Sequence, residues 1–176
     1  MSEHLVELSN KLILTLEPIV QPKVHELLVR CAREGMLMRV HQARRTFAEQ
    51  TAIHAKGRTA WGEPCLHEGR RYPVGSCPTG KHPMGAAVTN APAGYSIHNF
   101  GLAIDICEMD KTPFDLGVPG PSDDDALWDK AADIGEALGF ECGFRWKRPD
   151  PGHFEYLQGT SLLALRAQAR KDGLLA

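Results

Sequence analysis

The sequence predicts an α+β fold in which helices flank a small, mainly antiparallel sheet. Segments near both ends place apolar residues at three- and four-residue spacing, which is typical of amphipathic helices. Shorter segments between them alternate apolar and polar residues, which is typical of half-buried strands. The 176 residues, 43% of them hydrophobic, suffice for one domain with a real core. We therefore expect a single domain with N-terminal helices at 1–35, a core at 36–157 and a C-terminal helix at 158–176.

Two helices are predicted before the first strand. The first spans about residues 3–16 and ends before Pro18, which cannot continue a helix. Its apolar stripe consists of Leu5, Leu8, Leu12 and Leu16. The second spans about residues 22–34 and ends at Gly35, a residue type that favours helix C-termini. Both helices are expected to be packing elements.

A strand and a third helix follow. Residues 36–42 alternate like a strand. Thr46 and Glu49 have the spacing of a capping box, which predicts a helix from there to about Gly57. Arg45 then lies at the strand-to-helix junction, where its guanidinium can contact a carboxylate or a developing oxyanion. Taken alone, the residue pattern also fits a surface salt bridge at Arg45.

Loop signals dominate from residue 60 to about residue 92, where glycine and proline recur. Four residues in this region can bind zinc, namely Cys65, His67, Cys77 and His82. Their spacing is not that of a regular zinc finger. A structural zinc, a Cys65–Cys77 disulfide and ordinary loop residues therefore all remain open.

The last third of the chain predicts three further elements. A helix is expected from about residue 122 to 138, with acidic residues in its first turn and Gly139 after its end. Residues 140–146 are expected to form a strand, and residues 161–171 a final helix.

Composition excludes several classes of partner. A net charge of −2 gives no basic patch for nucleic acid or for an anionic membrane surface. No apolar run approaches the roughly 20 residues that a bilayer span requires, so no membrane insertion is expected. The N-terminal segment carries acidic residues and lacks the pattern of a secretory signal, and the five cysteines form no dense disulfide framework. We expect a cytoplasmic monomer with reduced thiols.

Candidate metal ligands appear in the stretch around His98 and Asp105, which are seven residues apart. On one helix they would be roughly 10 Å apart, and on a straight strand they would point to opposite faces. One zinc ion could bind both only if the chain bends between them, and Gly101 can adopt such a bend. Residues 102–107 then alternate like a strand whose apolar face is buried, with Asp105 on the other face.

A third ligand and a base are found fifty residues downstream. His153 begins a short alternating segment and would face Asp105 if the two strands were neighbours. Two histidines and one aspartate leave one tetrahedral position open, which is the arrangement of a catalytic zinc site. Asp150 precedes His153 by three residues and could move a proton without binding the metal.

These residues resemble a known family. Ser96-x-His98-x2-Gly101-x-Ala103-x-Asp105, followed by Asp150-x2-His153-Phe154-Glu155, is similar to the peptidoglycan zinc peptidases that include VanY-type D,D-carboxypeptidases, VanX-type dipeptidases and phage L-alanyl-D-glutamate endolysins. The similarity covers roughly residues 36–156 and is greatest to the phage branch. A segment at about 60–86 departs from the family pattern and is interpreted as an insertion.

The resemblance implies a role for each site residue. Zinc would be bound by His98, Asp105 and His153. Asp150 would be the general base, where many relatives have Glu, and Arg45 would stabilise the tetrahedral intermediate. Ser96 and Gln50 would hold the substrate peptide. Glu155 is left with two interpretations, a hydrogen bond to a ligand histidine or a place on the strand surface.

The implied function is zinc-assisted hydrolysis of the bacterial stem peptide at the L-Ala–D-Glu bond, by a phage lysin that waits in the host cytoplasm and reaches the wall after release. Peptidoglycan would then be the partner. Three alternatives remain: a D-Ala-D-Ala carboxypeptidase, a non-catalytic wall-binding module that keeps the zinc site, and a zinc-stabilised interaction protein built on the Cys65–His82 loop.

Overall fold

The structure is a computed structural model that describes residues 2–56, 89–109 and 125–175, together with two short strands at 65–67 and 70–72. The helices are α1 (Ser2–Ile13), α2 (Gln21–Arg33), α3 (Phe47–Ala55), α4 (Asp125–Ala137) and α5 (Leu162–Lys171). The strands are β1 (Met38–Gln42), β2 (Cys65–His67), β3 (Arg70–Tyr72), β4 (Ala103–Glu108), β5 (Glu141–Cys142) and β6 (His153–Glu155). None of the helices in the described ranges has the length and apolar character that a membrane span needs.

The main sheet has the strand order β1-β4-β6-β5, and each neighbouring pair is antiparallel. This arrangement confirms the predicted α+β class with a small antiparallel sheet. The β1–β4 register shifts by one residue between Val40 and Gln42, so that Gln42 is opposite Asp105. Such a bulge increases the local twist and redirects side chains.

The chain forms two compact units, residues 1–44 with 100–161 and residues 45–99 with 162–176. The first unit contains the main sheet and the core between the sheet and its helices. The largest fully buried side chains of this core are Phe154, Ile13, Leu27, Ile104 and Ile106. The second unit contains α3, α5 and the antiparallel β2–β3 pair. The domain bounds expected from the sequence remain a prediction.

The buried face of α1 differs in part from the predicted leucine stripe. Leu16 is buried as predicted, but Leu8 is 42% exposed, and Ser9 and Ile13 are buried as well. The reason is a long-range hydrogen bond, because the backbone N–H of Val40 in β1 donates to the Ser9 hydroxyl at 2.9 Å. That bond turns the Ser9–Ile13 face towards the sheet. The helix also ends at Ile13, three residues before the predicted end.

The predicted strand at 140–146 is wrong beyond Cys142. Residues Gly143–Arg145 form a short 3-10 helix instead. Gly143 lies against the backbone of Asp150, where a Cβ atom would collide with the Asp150 carbonyl oxygen. The Asp150 N–H donates to the Gly143 carbonyl at 3.0 Å. This close tertiary contact ends the strand.

Local signals were more reliable at the other helices. Thr46 and Glu49 form the predicted capping box at the start of α3. Gly35 and Gly139 follow α2 and α4 with φ of +82° and +93°, the left-handed conformation typical of helix C-termini. The proposed disulfide and second zinc site, which involve the side chains of Cys65, His67, Cys77 and His82, lie outside the described residues.

Candidate metal centre

Gly101 provides the bend that the sequence predicts between His98 and Asp105. The chain passes from the 3-10 helix Ile97–Phe100 to β4 through Gly101, whose φ is +68°. The Gly101 carbonyl also accepts a hydrogen bond from the Glu17 N–H at 3.0 Å. A Cβ atom at this position would lie 3.1 Å from that nitrogen. Backbone angle and available space therefore both favour glycine.

Asp105 and His153 are direct cross-strand partners on β4 and β6. Their side chains meet, with the Asp105 Oδ1 atom 2.8 Å from the His153 Nδ1 atom. This contact confirms that the two residues face each other across neighbouring strands. Ile104 and Ile106 are fully buried, so the predicted alternation of β4 places Asp105 on the opposite face from the main core.

The three predicted ligands form a group that could hold a metal ion. One ligand atom each from His98, Asp105 and His153 can be chosen so that all lie within 4.8 Å of one another. Among the described residues, no other group of three or more histidine, cysteine or acidic side chains has its ligand atoms this close together. His98 is 3% exposed and His153 is 8% exposed. Two imidazoles and one carboxylate match the donor set of a zinc site with three protein ligands.

Glu155 lies on the other side of the His153 ring. The His153 Nε2 atom is 2.9 Å from the Glu155 Oε1 atom. Of the two interpretations left by the sequence, the structure shows the contact with the candidate ligand His153. If Nδ1 binds the metal, Nε2 carries the proton and donates it to Glu155, which fixes the tautomer and the ring orientation.

The two carboxylates also change the protonation of His153 in the metal-free protein. Burial of the ring opposes its charge, but the hydrogen bonds and charges of Asp105 and Glu155 outweigh burial and raise the pKa of His153 to about 10. The imidazole therefore holds a proton at neutral pH when no metal is bound. A proton can occupy the position between Nδ1 and Asp105 that a metal ion would take.

Asp150 lies at the turn that leads into β6. Its N–H donates to the Gly143 carbonyl at 3.0 Å, and its carbonyl accepts from the His153 N–H at 3.1 Å. The residue is exposed. The turn thus holds Asp150 beside the first residue of β6, and its role as a base remains a prediction.

Arg45 is anchored through both its backbone and its side chain. Its N–H donates to the His98 carbonyl at 3.0 Å, and its Nη1 donates to the Gln50 Oε1 atom at 2.7 Å. The expected surface position of Arg45 is wrong, because the residue is 9% exposed and this contact joins it to a buried amide. Ser96 is half-buried, and its contact with substrate remains a prediction.

Two residues near the candidate ligands were missed by the sequence analysis. The buried Asn99 side chain donates to the Arg45 carbonyl at 3.0 Å and accepts from the Gly94 N–H at 2.9 Å. The ring of Trp146 lies 5.2 Å from that of His153. A single asparagine in a loop gives no pattern that would indicate burial. Trp146 lies close in sequence to the predicted Asp150–His153 segment, and this proximity was the signal that could have identified it.

The chain matches known proteins over the segment that contains these residues. A family model described as D-alanyl-D-alanine carboxypeptidase matches residues 89–156, which include all three candidate ligands. The peptidoglycan L-alanyl-D-glutamate endopeptidase CwlK of Bacillus subtilis (strain 168) is 30% identical over 146 residues, which are 81% of this chain and 74% of CwlK. The chain belongs to the family of VanY-type and L-alanyl-D-glutamate peptidases. The resemblance in the motif is thereby confirmed at the level of the family.

Solved structures of this peptidase family are also similar to the chain. A vancomycin-resistance D,D-pentapeptidase VanY from the VanB-type cassette, in complex with Zn(II), is 18% identical with a TM-score of 0.48 and covers 91% of this chain and 80% of its own. The L-Ala D-Glu endopeptidase ChiX of Serratia marcescens is 17% identical with a TM-score of 0.44, and the match covers 84% of this chain and 85% of ChiX.

Proposed function

We propose that this VanY-type peptidase hydrolyses the stem peptide of bacterial peptidoglycan at the L-Ala–D-Glu bond in a zinc-dependent reaction. The observation that carries the proposal is the His98, Asp105 and His153 group, which falls inside the segment matched by the family model. CwlK, a relative that covers most of the chain, is named as an endopeptidase for this bond.

The three residues would hold one zinc ion through two imidazole nitrogens and one carboxylate oxygen. When bound, zinc supplies Lewis acidity, which polarises a carbonyl and makes a water molecule more acidic. The contact between His153 and Glu155 supports this assignment, because ligand histidines in zinc sites usually donate their second N–H to a carboxylate or carbonyl.

Asp150 would act as general base and then as general acid. Its carboxylate takes a proton from the attacking water as the water oxygen bonds to the scissile carbonyl carbon. As the C–N bond breaks, the same carboxyl group gives that proton to the departing amine. Its exposure and its position three residues before a ligand support this role.

Arg45 would stabilise the negative charge that develops on the carbonyl oxygen. A guanidinium is suited to this task because it stays charged and donates several N–H groups in a fixed plane. Ser96, two residues before His98, would contact the substrate peptide.

Mass spectrometry of products from defined stem peptides tests the proposal. We expect a new D-glutamate N-terminus, loss of cleavage with a zinc chelator, and recovery when zinc is restored. Asp150→Ala should retain zinc but lose cleavage, whereas the exposed control Asp172→Asn should cut like the natural protein. Cleavage that continues in Asp150→Ala would remove this residue from the mechanism.

A D-Ala-D-Ala carboxypeptidase is the second candidate, because the matching family model carries that description. The same experiment separates the two activities. Release of free D-alanine without a new D-glutamate terminus would establish the carboxypeptidase. Zinc binding without any cleavage would leave the non-catalytic wall-binding module.

The phage origin also belongs to the proposal and is supported by the motif resemblance. A phage lysin should release peptides from isolated walls and lyse permeabilised bacteria added from outside. Activity on soluble peptides but not on walls would contradict this assignment.

A further inference from the structure

The side chain of Gln50 is fully enclosed, with 0% of the residue exposed. It lies in the first turns of α3, and its backbone N–H donates to the Thr46 carbonyl at 2.9 Å. Both ends of its amide are engaged. The Oε1 atom accepts from Arg45 Nη1 at 2.7 Å, and the Nε2 atom donates to the Ala91 carbonyl at 2.6 Å.

A buried glutamine needs hydrogen-bond partners in any protein, so the identity of those partners indicates its role. One partner is the buried cation Arg45. Arg45 is held separately through its backbone, since its N–H donates to the His98 carbonyl and its carbonyl accepts from the Asn99 side chain. Gln50 therefore anchors the guanidinium end of a residue whose other end is already fixed.

The second partner belongs to the segment that leads into the ligand-bearing turn. Ala91 is seven residues before His98. The Gln50 amide thus joins the Arg45 guanidinium to that segment through two consecutive hydrogen bonds. These hydrogen bonds restrict rotation of the guanidinium before the reaction. Less rotational entropy is then lost when the transition state forms.

A neutral acceptor suits this position better than a carboxylate. A buried carboxylate at this distance would form an ion pair and offset most of the arginine charge. The amide oxygen accepts from one N–H and adds no negative charge that would offset the positive charge of the guanidinium. That charge is what electrostatic stabilisation of an oxyanion requires.

We propose that Gln50 is a positioning residue that holds Arg45 in one orientation through a neutral acceptor, and that it does not contact the substrate. The proposal rests on the proposed function insofar as it takes Arg45 as the group that stabilises the oxyanion. A side chain without exposed surface offers none to a peptide, so the contact expected from the sequence is reassigned to Arg45.

Three substitutions separate orientation from charge. Gln50→Met keeps the side-chain length but removes both hydrogen bonds, and Gln50→Glu keeps an acceptor for Arg45 but adds a negative charge. Thr51→Ala, at an exposed neighbour on α3, is the matched control. Steady-state rates on a defined stem peptide are measured at equal zinc content, alongside the ¹⁵N NMR signals of the Arg45 guanidinium in the metal-free protein.

We expect both Gln50 variants to lower kcat by about tenfold or more, with KM changed by less than about threefold, because an interaction made in the transition state is lost. Gln50→Met should broaden the Arg45 guanidinium signals, whereas Gln50→Glu should keep them sharp. In an Arg45→Ala background, Gln50→Met should cause no further loss of kcat. This double-variant comparison also separates positioning from instability. A general folding defect would lower kcat in the Arg45→Ala background as well, whereas loss of the positioning contact would not.

Three results would overturn the proposal. Unchanged kcat in both variants would show that the orientation of Arg45 does not depend on Gln50, and a raised KM with unchanged kcat would indicate a substrate contact. If the natural protein cuts no stem peptide, the proposed function fails while the NMR signals still test the positioning contact. Unaltered Arg45 guanidinium signals in Gln50→Met would reject the positioning contact.

Discussion

At the scale of single residues, His153 is the side chain whose surroundings have the clearest consequences. It lies between two carboxylates, Asp105 on the Nδ1 side and Glu155 on the Nε2 side. Two anions around one ring favour any cation that can replace the shared proton. The site therefore supports binding of a proton or of a metal ion at His153.

Removing Glu155 should weaken zinc binding without removing a ligand. We expect Glu155→Ala to lower zinc affinity by roughly 10- to 100-fold, the usual effect of losing a carboxylate behind a ligand histidine. Glu155→Gln should lose less, because its amide oxygen can still accept the hydrogen bond. Competition with a chelating dye measures the affinities.

The exposed Glu141, which pairs with Glu155 in the sheet, provides the control. Glu141→Ala should bind zinc like the natural protein. Equal affinity in the Glu141 and Glu155 variants would show that the carboxylate behind His153 has no influence on the metal.

The raised pKa of His153 makes the stability of the metal-free protein depend on pH. The unfolded pKa is about 6.5, and Asp105 and Glu155 raise the folded pKa to about 10. The protonated ring therefore contributes stability that is fully present below pH 6.5 and is lost as pH rises towards 10. Urea unfolding with a chelator present should show a fall in the free energy of unfolding over this range.

His153→Gln supplies the comparison for that measurement. Its free energy of unfolding should vary less between pH 6.5 and 10, because no imidazole titrates at this position. Identical pH profiles for the two proteins would mean that His153 is not the responsible group.

At the scale of structural elements, the bend at Gly101 connects the 3-10 helix that carries His98 with the strand that carries Asp105. Gly101→Ala should be strained by about 1–2 kcal/mol from its left-handed backbone and should crowd the Glu17 nitrogen. We expect zinc affinity to fall at temperatures where the variant is still folded. Dye competition and thermal unfolding on the same sample distinguish the two effects.

Gly173→Ala is a matched control for this strain. Gly173 has a φ of +70°, and a Cβ atom there would contact nothing within 4 Å. It should lose similar stability but keep its zinc affinity. An equal loss of zinc affinity in both variants would attribute the effect to general destabilisation.

Elements with local signals could be predicted from the sequence. The capping box of α3 and the glycines after α2 and α4 are set by residues within one turn of the helix end, and each is found as expected. The face of α1 and the end of β5 depend on contacts with distant residues. Ser9 bonds to Val40, and Gly143 packs on Asp150, and neither partner is visible in a local pattern.

The same division holds for the candidate site. Spacing predicted the bend at Gly101, because strand periodicity limits where side chains can point. It predicted that His153 would face Asp105 only if their two strands were neighbours, which the sheet order confirms. The buried amides of Asn99 and Gln50 were not recognised as partners of Arg45. Polar residues with tertiary partners have the same local sequence appearance as polar residues on the surface.

At the scale of the whole molecule, metal binding should be linked to stability. A ligand that binds the folded state stabilises it by about 2.7 kcal/mol at 100 times its Kd. We expect Tm to rise with zinc concentration in the natural protein and to stay nearly constant in Asp105→Asn. Calorimetric scans over a zinc series measure this. Equal shifts in both proteins would place the bound zinc elsewhere.

The buried thiols of the first unit should not interfere with such titrations. Burial raises the pKa of Cys31 to about 11 and the pKa of Cys142 to about 12. Both therefore remain protonated near neutral pH and are poor metal ligands and nucleophiles. Zinc that binds to the protein should accordingly not be bound by these two thiols.

The turn at Asp150 has an evolutionary consequence. The hydrogen bonds that link it to Gly143 and His153 are made by its backbone, so they do not depend on which acidic side chain the position carries. A mutation between aspartate and glutamate at this position would therefore leave these hydrogen bonds in place. Selection could thus change the length of the acidic side chain without changing the backbone contacts that hold the turn.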